Sequence, residues 1–264
     1  MRTRLNNLAP HIQDPGFKYD IELGNINKEI TVAQQSGDEQ QANRLWAIKS
    51  VVKIHKIFVE IFNLLKDADY YNAWCKAEEV EICCNNLRRN FPYITATDSI
   101  YNTITNLQAL YPYKLFSSYE IIIKKERCSI CNQVRSLRND CGHRRGYVYN
   151  GKFCCNIVEE CALKGIAVVD NPVHKYAVLF PTIDDNRQQD NYDYFLVESL
   201  MKYWQRPFQK WSYNIVHTHK PITDFPELTK NDYCPCASGK KYSECCKLNP
   251  KGIKHKIYQF LVEK

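Results

Sequence analysis

Four cysteines crowd into thirteen residues near the C-terminus, in the stretch YCPCASGKKYSECCK from Tyr233 to Lys247, spaced C-x-C-x8-C-C. Nothing else in the chain restricts the local fold so tightly. Adjacent cysteines such as Cys245 and Cys246 form a disulfide only with strain, and a redox dithiol usually reads C-x-x-C. A tetrahedral metal ion removes the difficulty, because it accepts soft ligands from two sides. Cys234 and Cys236 turn toward one ion from a tight knuckle. Cys245 and Cys246 supply the second pair after the chain reverses at Ala237-Ser238-Gly239. Lysines beside the site offset part of the charge of four thiolates, and zinc is expected in preference to an iron–sulfur cluster.

The stretch CPCASGKKYSECC resembles the SEC-C motif, the small zinc module at the C-terminus of the preprotein translocase motor SecA that also occurs on many otherwise unrelated bacterial proteins. Cys234, Pro235, Cys236, Ser238, Gly239, Lys240, Lys241, Tyr242, Cys245 and Cys246 match the family pattern, and Ala237 stands where the family usually has glycine. The resemblance covers about residues 231 to 248. It implies zinc binding and an interaction role, since in the translocase the module binds a chaperone and the ribosome. The chain carries no Walker A sequence, so the resemblance does not extend to a motor.

A second cluster reads Cys128-Ser-Ile-Cys131, then nine residues, then Cys141-Gly-His143. A C-x2-C knuckle with a C-x-H pair offers four zinc ligands. Cys154 is a fifth candidate, in place of Cys141 or His143. A helix is expected from about Cys154 to Leu163, and its N-terminal N–H groups would favour a thiolate there. Knuckle, hairpin and helix in that order give a treble-clef-like module. Cys155 and Cys161 read as packing residues. So do Cys75, Cys83 and Cys84, which fall in a helical pattern.

Thirteen cysteines, an odd count, in a chain without an apolar leader argue for a reducing, cytoplasmic setting rather than a disulfide framework. No run of about 18 apolar residues predicts a membrane span. The net charge of +7 is focused. Residues 124 to 145 carry seven basic and two acidic side chains, and residues 230 to 264 carry eight lysines and three acids. Charge concentrated on the two cysteine-rich segments points to an anionic partner such as nucleic acid, the ribosome or an acidic protein surface.

Apolar periodicity predicts helices over residues 17 to 112. One begins near Tyr19. The next, of about 25 residues, carries Leu45, Ile48, Val52, His55, Phe58, Ile61, Phe62 and Leu65 on one face, with His55 as a packed residue rather than a ligand. Others run from about Asp67 to Asn90 and from about Thr97 to Leu110. Beyond Pro112, Tyr119 to Ile123 reads as a strand leading into Cys128, and Tyr147 to Phe153 as a hairpin turning on Asn150-Gly151. Strands are expected at Ile166 to Val169 and Tyr176 to Phe180, and an aromatic helix at Tyr194 to Trp204. Residues 205 to 229 read as a linker. The fold class is therefore α+β: a helical domain over 1–112, a central treble-clef-like zinc domain over 113–204, the linker over 205–229 and a small zinc module over 230–264.

The sequence offers no H-E-x-x-H, H-x-E…P-C-x-x-C or G-x-S-x-G pattern and no Gly-rich phosphate loop. His217-Thr-His219 could place two imidazoles on one side of a strand, and is not read as a metal or catalytic site. The leading expectation is an intracellular adaptor with two structural zinc ions per chain and a protein partner, and not an enzyme. The runner-up is a nucleic-acid-binding protein, and a third reading is an enzyme with an unrecognised site. The contact residues expected are Arg135, Arg138, Arg144 and Arg145 in the first cluster and Lys240, Lys241 and Tyr242 in the second. Tyr242 is either an exposed aromatic anchor or packing on the knuckle.

Overall fold

The longest helix shows how local chemistry sets the helical layer. Asp38 caps it, its carboxylate accepting from the Gln41 N–H at 2.9 Å. From Glu39 to Lys66 it buries the face that the periodicity predicts, with Leu45, Ile48, Val52, Phe58, Ile61, Phe62 and Leu65 all buried. It ends where Ala68 adopts a left-handed φ of 58°, and Asp69 at once caps the next helix through the Asn72 N–H. In a computed structural model that describes residues 1–136, 138, 140–180, 182–183, 187–188 and 190–263, the helices are α1 (Arg2–Leu8), α2 (Tyr19–Gln35), α3 (Glu39–Lys66), α4 (Tyr70–Asn90) and α5 (Asp98–Leu110). Helix α3 packs between α2 and α4, and α5 packs on α4. His55 lies in this core, 2% exposed, with Nδ1 2.8 Å from the Val51 carbonyl; burial lowers its pKa.

After Pro112 the chain forms strands: β1 (Phe116–Cys128), β2 (Val148–Tyr149), β3 (Lys152–Phe153) and β4 (Asn156–Val169). Strands β1 and β4 pair antiparallel from Phe116 opposite Val169 to Cys128 opposite Asn156, with three register shifts along the way. The helix expected from Cys154 to Leu163 is therefore not formed. Most of the segment runs into the 14-residue β4 and lies against the 13-residue β1, whose ladder needs a partner, so tertiary pairing overrides local helical preference. Glu159 ties the two strands through Lys125 at 2.8 Å and through Arg127. Without that helix the treble-clef order breaks after its hairpin.

The segment Tyr176 to Phe180 is not a strand beyond a single bridge between Phe116 and Val178. Helix α4 holds it instead. The buried Glu78 carboxylate accepts the N–H groups of Lys175 and Tyr176 at 2.8 and 2.7 Å, and the Trp74 indole donates to the Lys175 carbonyl at 2.6 Å. Two short strands, β5 (Thr182–Ile183) and β6 (Arg187–Gln188), pair next, and the expected aromatic helix forms as α6 (Phe195–Met201), ending before Trp204.

The chain divides into two compact units, Met1–Phe208 and Gln209–Lys264. In the second, β7 (Trp211–Lys220) and β8 (Ile253–Val262) pair antiparallel in unbroken register, enclosing the cysteine-rich segment and three 3₁₀ turns. Ten of the residues expected as a linker thus form a strand. Its partner lies more than thirty residues away, which no local pattern reveals. Among the described residues no helix is long and apolar enough to cross a membrane.

Candidate metal centres

The first centre grows from the end of β1. Cys128 closes the strand, and its backbone N–H donates to the Gln133 carbonyl at 2.9 Å. Asn132 donates back to the Cys128 carbonyl at 2.9 Å from a left-handed φ of 62°, which makes the turn a tight knuckle. The Ile130 N–H points at the Cys128 sulfur, 3.4 Å away. The chain returns at Cys141-Gly142-His143, where Gly142 takes a φ of 76°. Ligand atoms of Cys128, Cys131, Cys141 and His143 all lie within 4.8 Å of one another.

Burial opposes a thiolate at Cys128, but backbone N–H groups of Cys131 and Ile130 and neighbouring thiols outweigh it, lowering the pKa to about 6. Cys154, fully buried, lies 3.9 Å from Cys128 and accepts from Arg135 at 3.4 Å. Burial raises its pKa to about 11, with the nearby Cys128 adding to the effect. Arg135 also donates to the His143 carbonyl at 2.7 Å. Its guanidinium therefore braces the centre from within, whereas Arg138, Arg144 and Arg145 are exposed.

The β2–β3 hairpin fixes this centre to the helices. Asn150 and Gly151, with φ values of 46° and 71°, form the turn that the Asn-Gly pair demands. The Gly151 N–H donates to Asn43 at 2.7 Å, the Asn150 N–H to Glu39 at 3.1 Å, and Gln34 donates to the Asn150 carbonyl at 2.7 Å. At the other end Asn90 accepts from Val148 and donates to the Gly146 carbonyl, both at 3.0 Å. Trp46 on α3 stacks on Phe153, with centroids 6.0 Å apart. None of these anchoring residues stands out in sequence, since they are ordinary polar residues on helix surfaces.

The second centre is built from turns. The Cys234 N–H donates to the Lys240 carbonyl at 2.8 Å, and Ala237 donates back to the Cys234 carbonyl at 3.1 Å. Ala237 and Gly239 both take left-handed backbone, φ 57° and 73°. Cys234, Cys236, Cys245 and Cys246 bring their sulfurs within 4.8 Å of one another, with Cys236 3.5 Å and Cys246 3.9 Å from Cys245. Hydrogen bonds from Ser238 and neighbouring thiols overcome burial and lower the Cys236 pKa to about 6, while burial raises Cys246 to about 12.

Tyr242 is 7% exposed and packs with Cys234, Cys246 and Ile253, flanked by Phe225 and Leu228. This removes Tyr242 from the expected contact residues: it holds the knuckle closed. Lys240 and Lys241 are exposed, and the large apolar side chains offered to solvent are Tyr233 and Leu248, 79% and 80% exposed.

The donors fit a metal. Four thiolates around zinc at bonds of about 2.3 Å stand about 3.8 Å apart, close to the sulfur separations of the second centre. In the first, His143 Nδ1 is buried without a hydrogen-bond partner, the state of a nitrogen whose natural partner is a cation. Two Cys-rich clusters with ligand geometry that could hold metal ions thus define the chain.

Comparison with known proteins adds one short likeness. A stretch of 27 residues, 10% of the chain, is 56% identical to the protein translocase subunit SecA of Clostridium perfringens strain SM101, and equally so to that of strain ATCC 13124. The match spans 3% of the length of those relatives. No family model matches the chain, and no solved structure matches it.

Proposed function

We propose that the chain is an intracellular zinc-dependent adaptor with two structural zinc sites, one held by Cys128, Cys131, Cys141 and His143 and the other by Cys234, Cys236, Cys245 and Cys246. The observation that carries this reading is the convergence of four donors in each set. Four protein ligands close a tetrahedral ion, whereas a catalytic zinc keeps one position open. The ion's role here is to fix backbone, and no catalytic residue is assigned. The 27-residue likeness to SecA, together with the motif between Tyr233 and Lys247, supports a SEC-C-like module at the second site. Its contact surface would be Lys240 and Lys241 with the exposed Tyr233 and Leu248 beside them.

Two measurements test this. Elemental analysis of purified protein should give two zinc ions per chain; one ion, or iron with a visible chromophore, refutes the pair of sites. Charge reversal at Lys240 and Lys241, with zinc retained, should weaken partner capture, and the loss should shrink at high salt, where the attraction is already screened. Undiminished capture would reduce the module to a stabilising cap.

A second reading, nucleic-acid binding through the first centre, is favoured by the exposure of Arg138, Arg144 and Arg145. A groove lined by Lys124, Lys125 and Arg145 runs beside them, although Glu126 and Asp140 share its wall. Replacing Arg144 and Arg145 by glutamate would abolish salt-dependent binding of nucleic acid if this surface carries it.

A further inference from the structure

The second unit holds ten lysines against five acids, yet its β7–β8 ribbon is more one-sided still. Its strands contain Lys220, Lys254 and Lys256 and no acidic residue. The register sets Tyr213 opposite Phe260, Ile215 opposite Tyr258, His217 opposite Lys256 and His219 opposite Lys254. Opposed residues share a face, and so do alternate residues along a strand. One face is therefore aromatic over one half and basic over the other. The Tyr213 ring centroid lies 5.6 Å from that of Tyr258 and 6.4 Å from that of Phe260. All three rings are half-buried rather than enclosed, Ile215 between them is exposed, and His217, Lys254 and Lys256 are exposed. Among the described residues no further strand pairs with this ribbon.

Half-exposed rings running into lysines that pair with no carboxylate among the described residues match a ligand that has flat π faces and regularly spaced negative charge. An acidic peptide satisfies the lysines but leaves the rings in water. Duplex DNA offers phosphates but keeps its base faces stacked on one another. A single strand offers both, and stacking tolerates any base. We propose that this face of the β7–β8 ribbon binds single-stranded nucleic acid, with bases on Tyr213, Tyr258 and Phe260 and phosphates beside Lys254 and Lys256. The site shares no residue with Arg138, Arg144 and Arg145, nor with Lys240 and Lys241, so it stands or falls independently of the adaptor reading.

The test is fluorescence anisotropy with the full, zinc-loaded chain. The probes are labelled oligo(U) and oligo(dT) of about 16 nucleotides, the upper site size of comparable sheet platforms, a duplex of equal length, and polyglutamate as competitor. Binding should favour the single strands, and the relative strength of the two shows whether RNA or DNA is preferred. Tyr213→Leu with Tyr258→Leu keeps apolar bulk and should weaken binding about tenfold or more through lost stacking. Lys254→Gln with Lys256→Gln should flatten the salt dependence by about 0.7 log units per lysine removed. Circular dichroism and zinc content establish that each variant folds, and the lysine pair decides alone if the tyrosine pair does not fold. No binding to either single strand, or binding that neither pair alters, overturns the proposal. Displacement by polyglutamate as effective as by the oligonucleotide, with the tyrosine pair neutral, overturns it in favour of an acidic protein partner.

Discussion

At Ala237 the module carries an alanine with φ 57°, where the resembled family usually has glycine. A left-handed backbone costs a residue with a Cβ about 1–2 kcal/mol, partly offset by the greater freedom glycine has when unfolded. Ala237→Gly should therefore stabilise the module by about 0.5–1 kcal/mol. The readout is zinc retention against a graded chelator, which should improve; a loss would mean that the turn does not need the left-handed form. Gly151 is the reverse case. A Cβ there would sit 2.9 Å from Ile30 Cγ2 and 3.2 Å from the Ala42 carbonyl oxygen, at φ 71°. Gly151→Ala should cost about 2 kcal/mol or more from strain and overlap together, seen as a lower midpoint of denaturant unfolding for the first unit. The two groups of converging cysteine and histidine donors were legible at this scale, because C-x-C, C-x2-C and C-x-H spacings impose their own geometry. Tyr242 was not, since a motif shows that a tyrosine is present and not which way it faces.

Among the elements, α2 to α5 were readable because an apolar face at helical spacing belongs to one segment and needs no partner to be seen. The Asn150-Gly151 hairpin was equally local. The end of β4, Ile166 to Val169, was read as a strand, but its first part up to Leu163 was misread as a helix because helical and extended patterns compete there, and pairing with β1 decides between them. Strand β7 was missed because its partner β8 lies on the far side of the cysteine module. The two centres should differ in what they hold. Cys245→Ser should open the module around Tyr242 and Ile253, leaving the helices as they are. Cys128→Ser should loosen the knuckle and the neighbouring end of β1–β4. Limited proteolysis should then cut near residues 128–156 in one variant and near residues 221–252 in the other. Identical cleavage patterns from both variants would contradict separate centres.

The whole chain places nearly all its large buried aliphatic residues in the first unit, whereas the core around the second centre consists of Cys234, Tyr242, Cys246 and Ile253. So small an apolar core folds stably only with a staple, and with the proposed ion at its donors metal binding and folding would be one equilibrium. Adding a strong chelator should remove the calorimetric transition of the second unit and leave one for the helical layer at nearly its original temperature. Disappearance of both transitions together would show that the helices depend on metal as well.

Trp46 has a position that makes the molecule its own instrument. Its indole lies parallel to Phe153, which immediately precedes the buried Cys154, and 6.0 Å from it, and it also stacks on Phe91 at the end of α4. An event at the first centre that shifts β3 changes what this indole touches, although Trp46 itself sits on α3. Emission from a chain in which Trp46 is the one tryptophan retained would report metal gain and loss optically, in real time and without a label.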